Sequence, residues 1–282
     1  VTVQPSRPPG ALLLDAPAKL NLSLRVVGRR LDGHHLLDSE FVLLGLADRL
    51  LLMPGSSGLR IDGEMAPGLP VGRDNLAWRG LVAGLGAEPE VVCLTLEKRI
   101  PAAAGLGGGS SDAAAAWRLG RAWRGLSDVA TAPELLDLAA IGADVPFLAA
   151  PTAAAHVTGI GEIVEPVPPI DRLVVLAHPD FGLSTAAIFA ELRPDEWGRR
   201  TNDLLAPALR LRPELAAVLS AVERAGGEPQ LTGSGPTVFS MTDDPERAAA
   251  LAGRLAEAGL RATITRTRTT PAAIEPIHEE DA

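Results

Sequence analysis

Tyrosine is absent from this chain of 282 residues, and its large rings are five Phe and four Trp. Tyrosyl nucleophiles, tyrosine general acids and tyrosine stacking platforms are therefore excluded. So few rings leave Leu, Val and Ala to fill most of a core. The single cysteine, Cys93, cannot form an internal disulfide or a cysteine-based zinc cluster, and the five histidines (His34, His35, His156, His178, His278) show no His-Glu-x-x-His spacing. No metal site is expected. No apolar run approaches the roughly 18 residues of a membrane span, and Val1 to Gly10, with Arg7 and three prolines, lacks the apolar stretch of a signal peptide. The expectation is a cytoplasmic protein without a membrane partner.

What is present is ordinary for a folded chain. Apolar residues make up 46% and charged residues 22%, and the length suits one large or two ordinary domains. The net charge is −9, part of it from Glu275, Glu279, Glu280 and Asp281 in an end that has no Lys or Arg after Arg268. Duplex-binding proteins are normally basic, so nucleic acid is not an expected partner, although helix ends can still bind small anions.

Alternation of Leu20, Leu22, Leu24 and Val26 with Asn21, Ser23 and Arg25 predicts a half-buried strand. A break is expected before it at Ala16-Pro17-Ala18-Lys19, with a first strand over Ala11 to Asp15. Further strands are expected at Ser39 to Leu46, Leu50 to Met53, Val91 to Glu97, Leu173 to Ala177, Val238 to Met241 and Ala262 to Thr265. Helices are expected at Asn75 to Leu85, Ala113 to Gly120, Pro133 to Ala140, Thr185 to Leu192, Glu214 to Ala225 and Pro245 to Ala258. This is an α+β pattern.

Between Val91 to Glu97 and the alanine-rich helix lies Pro101-Ala102-Ala103-Ala104-Gly105-Leu106-Gly107-Gly108-Gly109-Ser110-Ser111-Asp112. Glycines let a backbone approach a ligand, and Ser-Ser-Asp supplies N-cap chemistry, so the order strand, glycine loop, capped helix reads as a phosphate site. An unliganded turn is the competing reading of the loop taken alone. Walker A requires a Lys that does not follow Gly109, and the Rossmann fingerprint requires Gly or Ala where Ser110 stands.

The segment Pro101 to Ala113 resembles the ATP loop of the GHMP small-molecule kinases, and Leu231-Thr232-Gly233-Ser234-Gly235-Pro236-Thr237 resembles their third, glycine-rich motif. Ala16 to Leu22, Gly28 to His35 and Gly142-Ala143-Asp144-Val145-Pro146-Phe147 are similar to segments of the branch acting on a cytidylyl-methylerythritol alcohol. The resemblance runs in order from about Leu14 to Thr265. It implies a two-domain GHMP kinase fold with the active site in the cleft between domains. The expected limits are a disordered lead over 1–10, an ATP-binding domain over 11–155, a second α+β domain over 156–268 and an acidic tail over 269–282.

The activity implied is ATP-dependent phosphorylation of the 2-hydroxyl of 4-diphosphocytidyl-2-C-methyl-D-erythritol in the non-mevalonate isoprenoid route, with Mg2+ arriving as the nucleotide complex. Asp144 would be the base and Lys19 would stabilise charge on the attacking oxygen. Pro101 to Ser111, Asn75 and Lys98 would contact ATP. Asn21, two residues from Lys19 and so on the same strand face, would meet the substrate. His35 would read the cytosine edge and Phe189 would lie against the base. His34 stands where the family carries a tyrosine. Consecutive residues of an extended chain face opposite ways, so only one of the two histidines should make the base contact. A homoserine or mevalonate type of acceptor, or a noncatalytic nucleotide-binding relative, are the alternatives; the Asp-Gly-His-His segment argues against the first and intact Lys19 and Asp144 against the second.

Overall fold

The computed structural model describes residues 10–277. The expected proline-rich lead through Pro9, and the acidic end from His278, lie outside the described residues.

β1 (Ala11–Arg29) runs without a break through Ala16-Pro17-Ala18-Lys19 and pairs antiparallel with β2 (His35–Pro54). Proline is tolerated there because the register slips between Pro17 and Lys19, so its missing donor falls at a bulge. A second slip between Asn21 and Ser23 leaves Lys19, Leu20 and Asn21 as a short run between two irregularities. β2 is likewise continuous where two pieces are expected from the sequence, and its middle carries the buried Asp48.

β3 (Gly58–Asp62) and β4 (Val92–Glu97) are parallel neighbours joined through α1 (Leu76–Leu85). Then come α2 (Gly108–Trp123), α3 (Ala132–Ala139), α4 (Val145–Ala149) and the hairpin of β5 (Ala154–Gly159) and β6 (Ile163–Pro166). β2 is long enough to pair with β4 at Arg49 to Pro54 and with β5 at Leu37 to Val42. The hairpin lies across residue 155 yet belongs to this first sheet, which has the order β11-β1-β2-β4-β3, with β11 (Glu275–Ile277) at its edge. No local pattern in the sequence announces β5, β6 or β11, since each is fixed by a distant partner strand.

The remaining chain gives β7 (Leu173–His178), α5 (Thr185–Glu191), α6 (Leu205–Leu211), α7 (Leu215–Arg224), β8 (Gln230–Leu231), β9 (Val238–Thr242), α8 (Pro245–Glu257) and β10 (Arg261–Arg266). Four of these form an antiparallel sheet in the order β10-β7-β9-β8. Leucines of β1, β2 and β4 pack with Trp78 and Leu81 of α1 and Leu119 of α2. A separate cluster joins the two sheets: Leu20, Val42, Leu44, Ile100 and Leu106 from one side meet Val174, Leu176 and Phe239 from the other. Full burial of each such side chain contributes roughly 1.5–3 kcal/mol, so the sheets are held face to face by apolar area. The site sits at that seam.

Candidate active site

One cleft of about 440 Å³ gathers most of the expected residues. Its walls are Lys19 and Asn21 of β1, the loop from Pro101 to Gly107, the first turn of α2, Asp144 ahead of α4, and Gly233-Ser234 between β8 and β9.

α2 starts at Gly108, five residues before the Ala113 start suggested by the sequence, and its N-cap is Gly107 instead of the Ser-Ser-Asp triplet. Gly107 has φ +69°, and a Cβ there would stand 2.9 Å from Lys19 Cγ, which leaves room for glycine alone. The triplet has other partners: Ser111 Oγ donates to Pro17 O at 2.7 Å, and Asp112 meets Lys98. Ser111 N makes the first bond of the helix, to Gly107 O. The N–H groups of Gly108, Gly109 and Ser110 therefore lack helix partners and, with the positive end of the helix dipole, suit the oxygens of an anion. The loop is tied to both sheets, because Lys19 N donates to Leu106 O at 3.0 Å and Thr237 N to Ala104 O at 3.3 Å.

Lys19 is 3% exposed. Its Nζ donates to Asn21 Oδ1 at 2.6 Å, stands 3.4 Å from Asp144 Oδ2 and lies 5.2 Å from the centre of the Phe41 ring. Asn21 is oriented in turn, since its Nδ2 donates to Ser39 Oγ at 2.9 Å. The Asp144 side chain keeps 27% of its surface open. A carboxylate that faces the cleft beside a dry ammonium can take a proton from a hydroxyl while the ammonium stabilises the oxygen left behind.

Lys19 and Lys98 are the only lysines of the chain, against twenty-four arginines, and both are buried in this cleft's wall. Lys98 Nζ donates to Asp112 Oδ2 at 2.7 Å and also to Asp48 Oδ2. Burial disfavours the ammonium, but the Asp112 and Asp48 carboxylates outweigh it and hold Lys98 above the ordinary lysine value. Burial pushes the Asp112 carboxyl well above the usual carboxylate range, against the pull of Lys98. Asp48 escaped the sequence reading, because its partner is fifty residues away and nothing local marks it. Asn75 lines the cleft, but its Oδ1 accepts from Ala77 N and its Nδ2 donates to Pro70 O, both at 2.8 Å, so its polar atoms cap α1.

At the other end of the cleft Phe189 stacks on His35, with ring centres 5.1 Å apart and planes 26° apart, and Trp197 meets the His35 ring edge-on at 5.8 Å. Burial first, and Arg29 second, hold His35 below the ordinary histidine value, which favours the neutral ring with one donor and one acceptor. Trp197 was not foreseen; its position depends on the loop between α5 and α6, where Asp203 accepts from Gly198, Arg199 and Arg200 N–H groups. Three expected residues are not part of the cleft's lining: His35, which reaches it only through the Phe189 ring, His34 and Ser111. His34 turns outward, with its side chain 64% exposed and Nδ1 3.2 Å from Asp32 Oδ1, because His35 has taken the inward side of the extended chain. Ser111 points its hydroxyl to Pro17 instead.

The chain matches the model of the GHMP kinases N terminal domain over residues 75–150 and that of the GHMP kinases C terminal over residues 186–260. A 4-diphosphocytidyl-2-C-methyl-D-erythritol kinase of Paracoccus denitrificans is 40% identical over 264 residues, which span 86% of this chain and 90% of the relative. One of Moorella thermoacetica is 37% identical, over 91% of this chain and 99% of that protein. The solved structure of a 4-(cytidine 5'-diphospho)-2C-methyl-D-erythritol kinase superposes with a TM-score of 0.74 at 34% identity, covering 90% of this chain and 98% of that one. A homoserine kinase from Cytophaga hutchinsonii shares the fold, with a TM-score of 0.64 at 16% identity over 98% of this chain and 100% of its own. Relatives this similar, over nearly the whole of both chains, mean that the chain belongs to the 4-diphosphocytidyl-2-C-methyl-D-erythritol kinase family within the GHMP kinases.

Proposed function

We propose that this chain transfers the γ-phosphoryl group of ATP to the 2-hydroxyl of 4-diphosphocytidyl-2-C-methyl-D-erythritol, a step of the non-mevalonate route to isoprenoid precursors. The observation that carries the reading is the meeting of three groups at one point: the free N–H groups at the start of α2, the Lys19 ammonium and the Asp144 carboxylate 3.4 Å from it. Phosphoryl transfer is mostly positioning and electrostatics, and these groups supply both. The phosphates rest on the backbone of Gly107 to Ser110. Asp144 accepts the proton of the attacking hydroxyl, and Lys19, fixed by Asn21, stabilises the oxygen as its negative charge develops.

Among the described residues no group of three His, Cys, Asp or Glu converges as a metal cage. Mg2+ keeps several waters and binds phosphates readily, so it would come with the nucleotide and would neutralise phosphate charge; Asp144 and the Ser110 hydroxyl are among the oxygen-bearing side chains of the lining that would help hold it. The Phe189 ring at the far end, backed by His35, suits a flat heterocycle, which favours a cytidine-bearing acceptor over homoserine or mevalonate.

The test is ATP-dependent phosphorylation of the cytidylyl substrate, with homoserine and mevalonate as controls and CDP as competitor. Turnover of the cytidylyl substrate alone, inhibited by CDP, is expected. Asp144→Asn should lower kcat by about 10²–10⁴-fold, the usual scale of a general base, while ATP affinity stays within about threefold. Full turnover in that variant would remove Asp144 from the chemistry.

A further inference from the structure

The loop from Arg99 to Gly107 spans from the end of β4 to the start of α2, and one buried cluster holds both of its ends. At the first end Asp48 Oδ1 accepts the backbone N–H groups of Arg99 at 2.6 Å and Ile100 at 2.8 Å. Asp48 Oδ2 accepts from Lys98 Nζ, which reaches across to Asp112 Oδ2, at 2.7 Å, in the first turns of α2. Asp48 is 0%, Lys98 3% and Asp112 3% exposed. Asp112 Oδ1 is buried with no hydrogen-bond partner, beside the cleft. Lys98 is fixed from its backbone too, as its N–H donates to Asp62 O of β3 at 2.8 Å.

We propose that Asp48 and Asp112 are positioning residues for the nucleotide, which act through Lys98 to hold the two ends of the glycine loop at one separation. Two of the three Lys98 N–H groups are committed to this clamp, and the third is left for a ligand. An arginine does not replace it: a guanidinium is planar and larger, whereas two carboxylates converging on one point need a compact ammonium. That requirement fits a chain that uses arginine at twenty-four positions and keeps lysine only at 19 and 98.

The inference rests on the loop being the nucleotide site, so ATP binding to the wild type is measured first by calorimetry. No binding there would remove the proposed function and this inference together. With binding in hand, ATP KM, alcohol KM and kcat are compared for wild type, Asp48→Asn, Asp112→Asn and Lys98→Arg. Asp48→Asn and Lys98→Arg should raise ATP KM about tenfold or more while alcohol KM and kcat stay within about threefold; Asp112→Asn, which leaves Lys98 one carboxylate, should raise it about threefold. Selective 15N-lysine labelling supplies a local readout, because the chain yields only two Nζ signals. The Lys98 signal should move in Asp48→Asn and the Lys19 signal should not. An unchanged ATP KM in folded Asp48→Asn, or equal losses in ATP KM, alcohol KM and kcat, would overturn the proposal. If Asp48→Asn does not fold, Asp112→Asn decides alone: an unmoved ATP KM overturns the clamp.

Discussion

His178 shows how a single buried side chain ties this fold to pH. Its ring lies between Thr237 Oγ1 at 3.4 Å and Thr263 Oγ1 at 3.2 Å, just behind the wall of the loop formed by Pro101 to Ala104. Burial, and then Arg261, lower its pKa from 6.5 to about 4. Between those values the unfolded chain binds a proton that the folded chain refuses, so the stabilisation is complete above about pH 6.5 and is lost as pH falls toward 4. Denaturant unfolding should therefore show about 2 kcal/mol of stability lost between pH 7.5 and pH 5 from this group, and His178→Gln should flatten that slope. Equal slopes in the two proteins would mean that the ring titrates normally. At this scale the sequence was informative where a residue sits in a motif and silent where it does not. Lys19 and Asp144 are flanked by recognisable segments and were legible, whereas Asp48, His178 and Trp197 owe their roles to partners far along the chain. His34 and His35 face opposite ways, as consecutive residues of an extended chain are expected to.

Between elements the decisive contact is the seam of α1 and α2, which fixes where the glycine loop ends. Glycine costs about 1 kcal/mol against alanine inside a helix, yet α1 keeps Gly80 and Gly84. A Cβ on Gly80 would overlap Ala113 O, and one on Gly84 would overlap Trp117 O, both on the α2 backbone. Gly253 in α8 makes a fair control, as a Cβ there meets nothing within 4 Å. Gly80→Ala should destabilise by about 1–3 kcal/mol through overpacking, and by pushing α2 it should raise ATP KM. Gly253→Ala should instead stabilise by about 0.5–1 kcal/mol with kinetics unchanged. Thermal melts and ATP titrations of both variants check this, and a neutral Gly80→Ala would show that the seam has slack. The same helix explains the misread cap. Ser110-Ser111-Asp112 has the composition of an N-cap, but Ser111 and Asp112 are recruited sideways by Pro17 and Lys98, and Gly107 takes the cap because Lys19 leaves no room for a side chain. Propensity is local; the cap was chosen by packing.

Taken whole, the molecule completes its site only where its two sheets meet. The first sheet and its helices supply Lys19, Asn21, the loop and Asp144, while the chain beyond β7 supplies Phe189 and the turn at Gly233. Asn21 N donates to Thr232 Oγ1 at 3.2 Å, and Asn202 Nδ2 donates to Leu231 O and Gly233 O at 2.8 and 3.0 Å, so that turn is pinned against β1. Gly233 has φ +55°, and a Cβ on it would stand 2.9 Å from Gly105 O, 3.0 Å from Lys19 Nζ and 3.3 Å from Asn21 Oδ1. Gly259, between α8 and β10, has φ +79° and open space around it. Alanine at either position bears the same kind of backbone strain, about 1 kcal/mol or somewhat more, so the pair separates strain from crowding. Gly259→Ala should lose that stability and keep its kcat. Gly233→Ala should lose a similar amount and also displace the Lys19 ammonium, and with Lys19 in its proposed role a shift near 1 Å at such a point costs on the order of 10²-fold in rate. If both variants lose stability alone, the turn serves only to join the sheets. If kcat falls in Gly233→Ala alone, the close approach at Gly233 is setting the position of the Lys19 ammonium, across an interface that no local stretch of sequence could have announced.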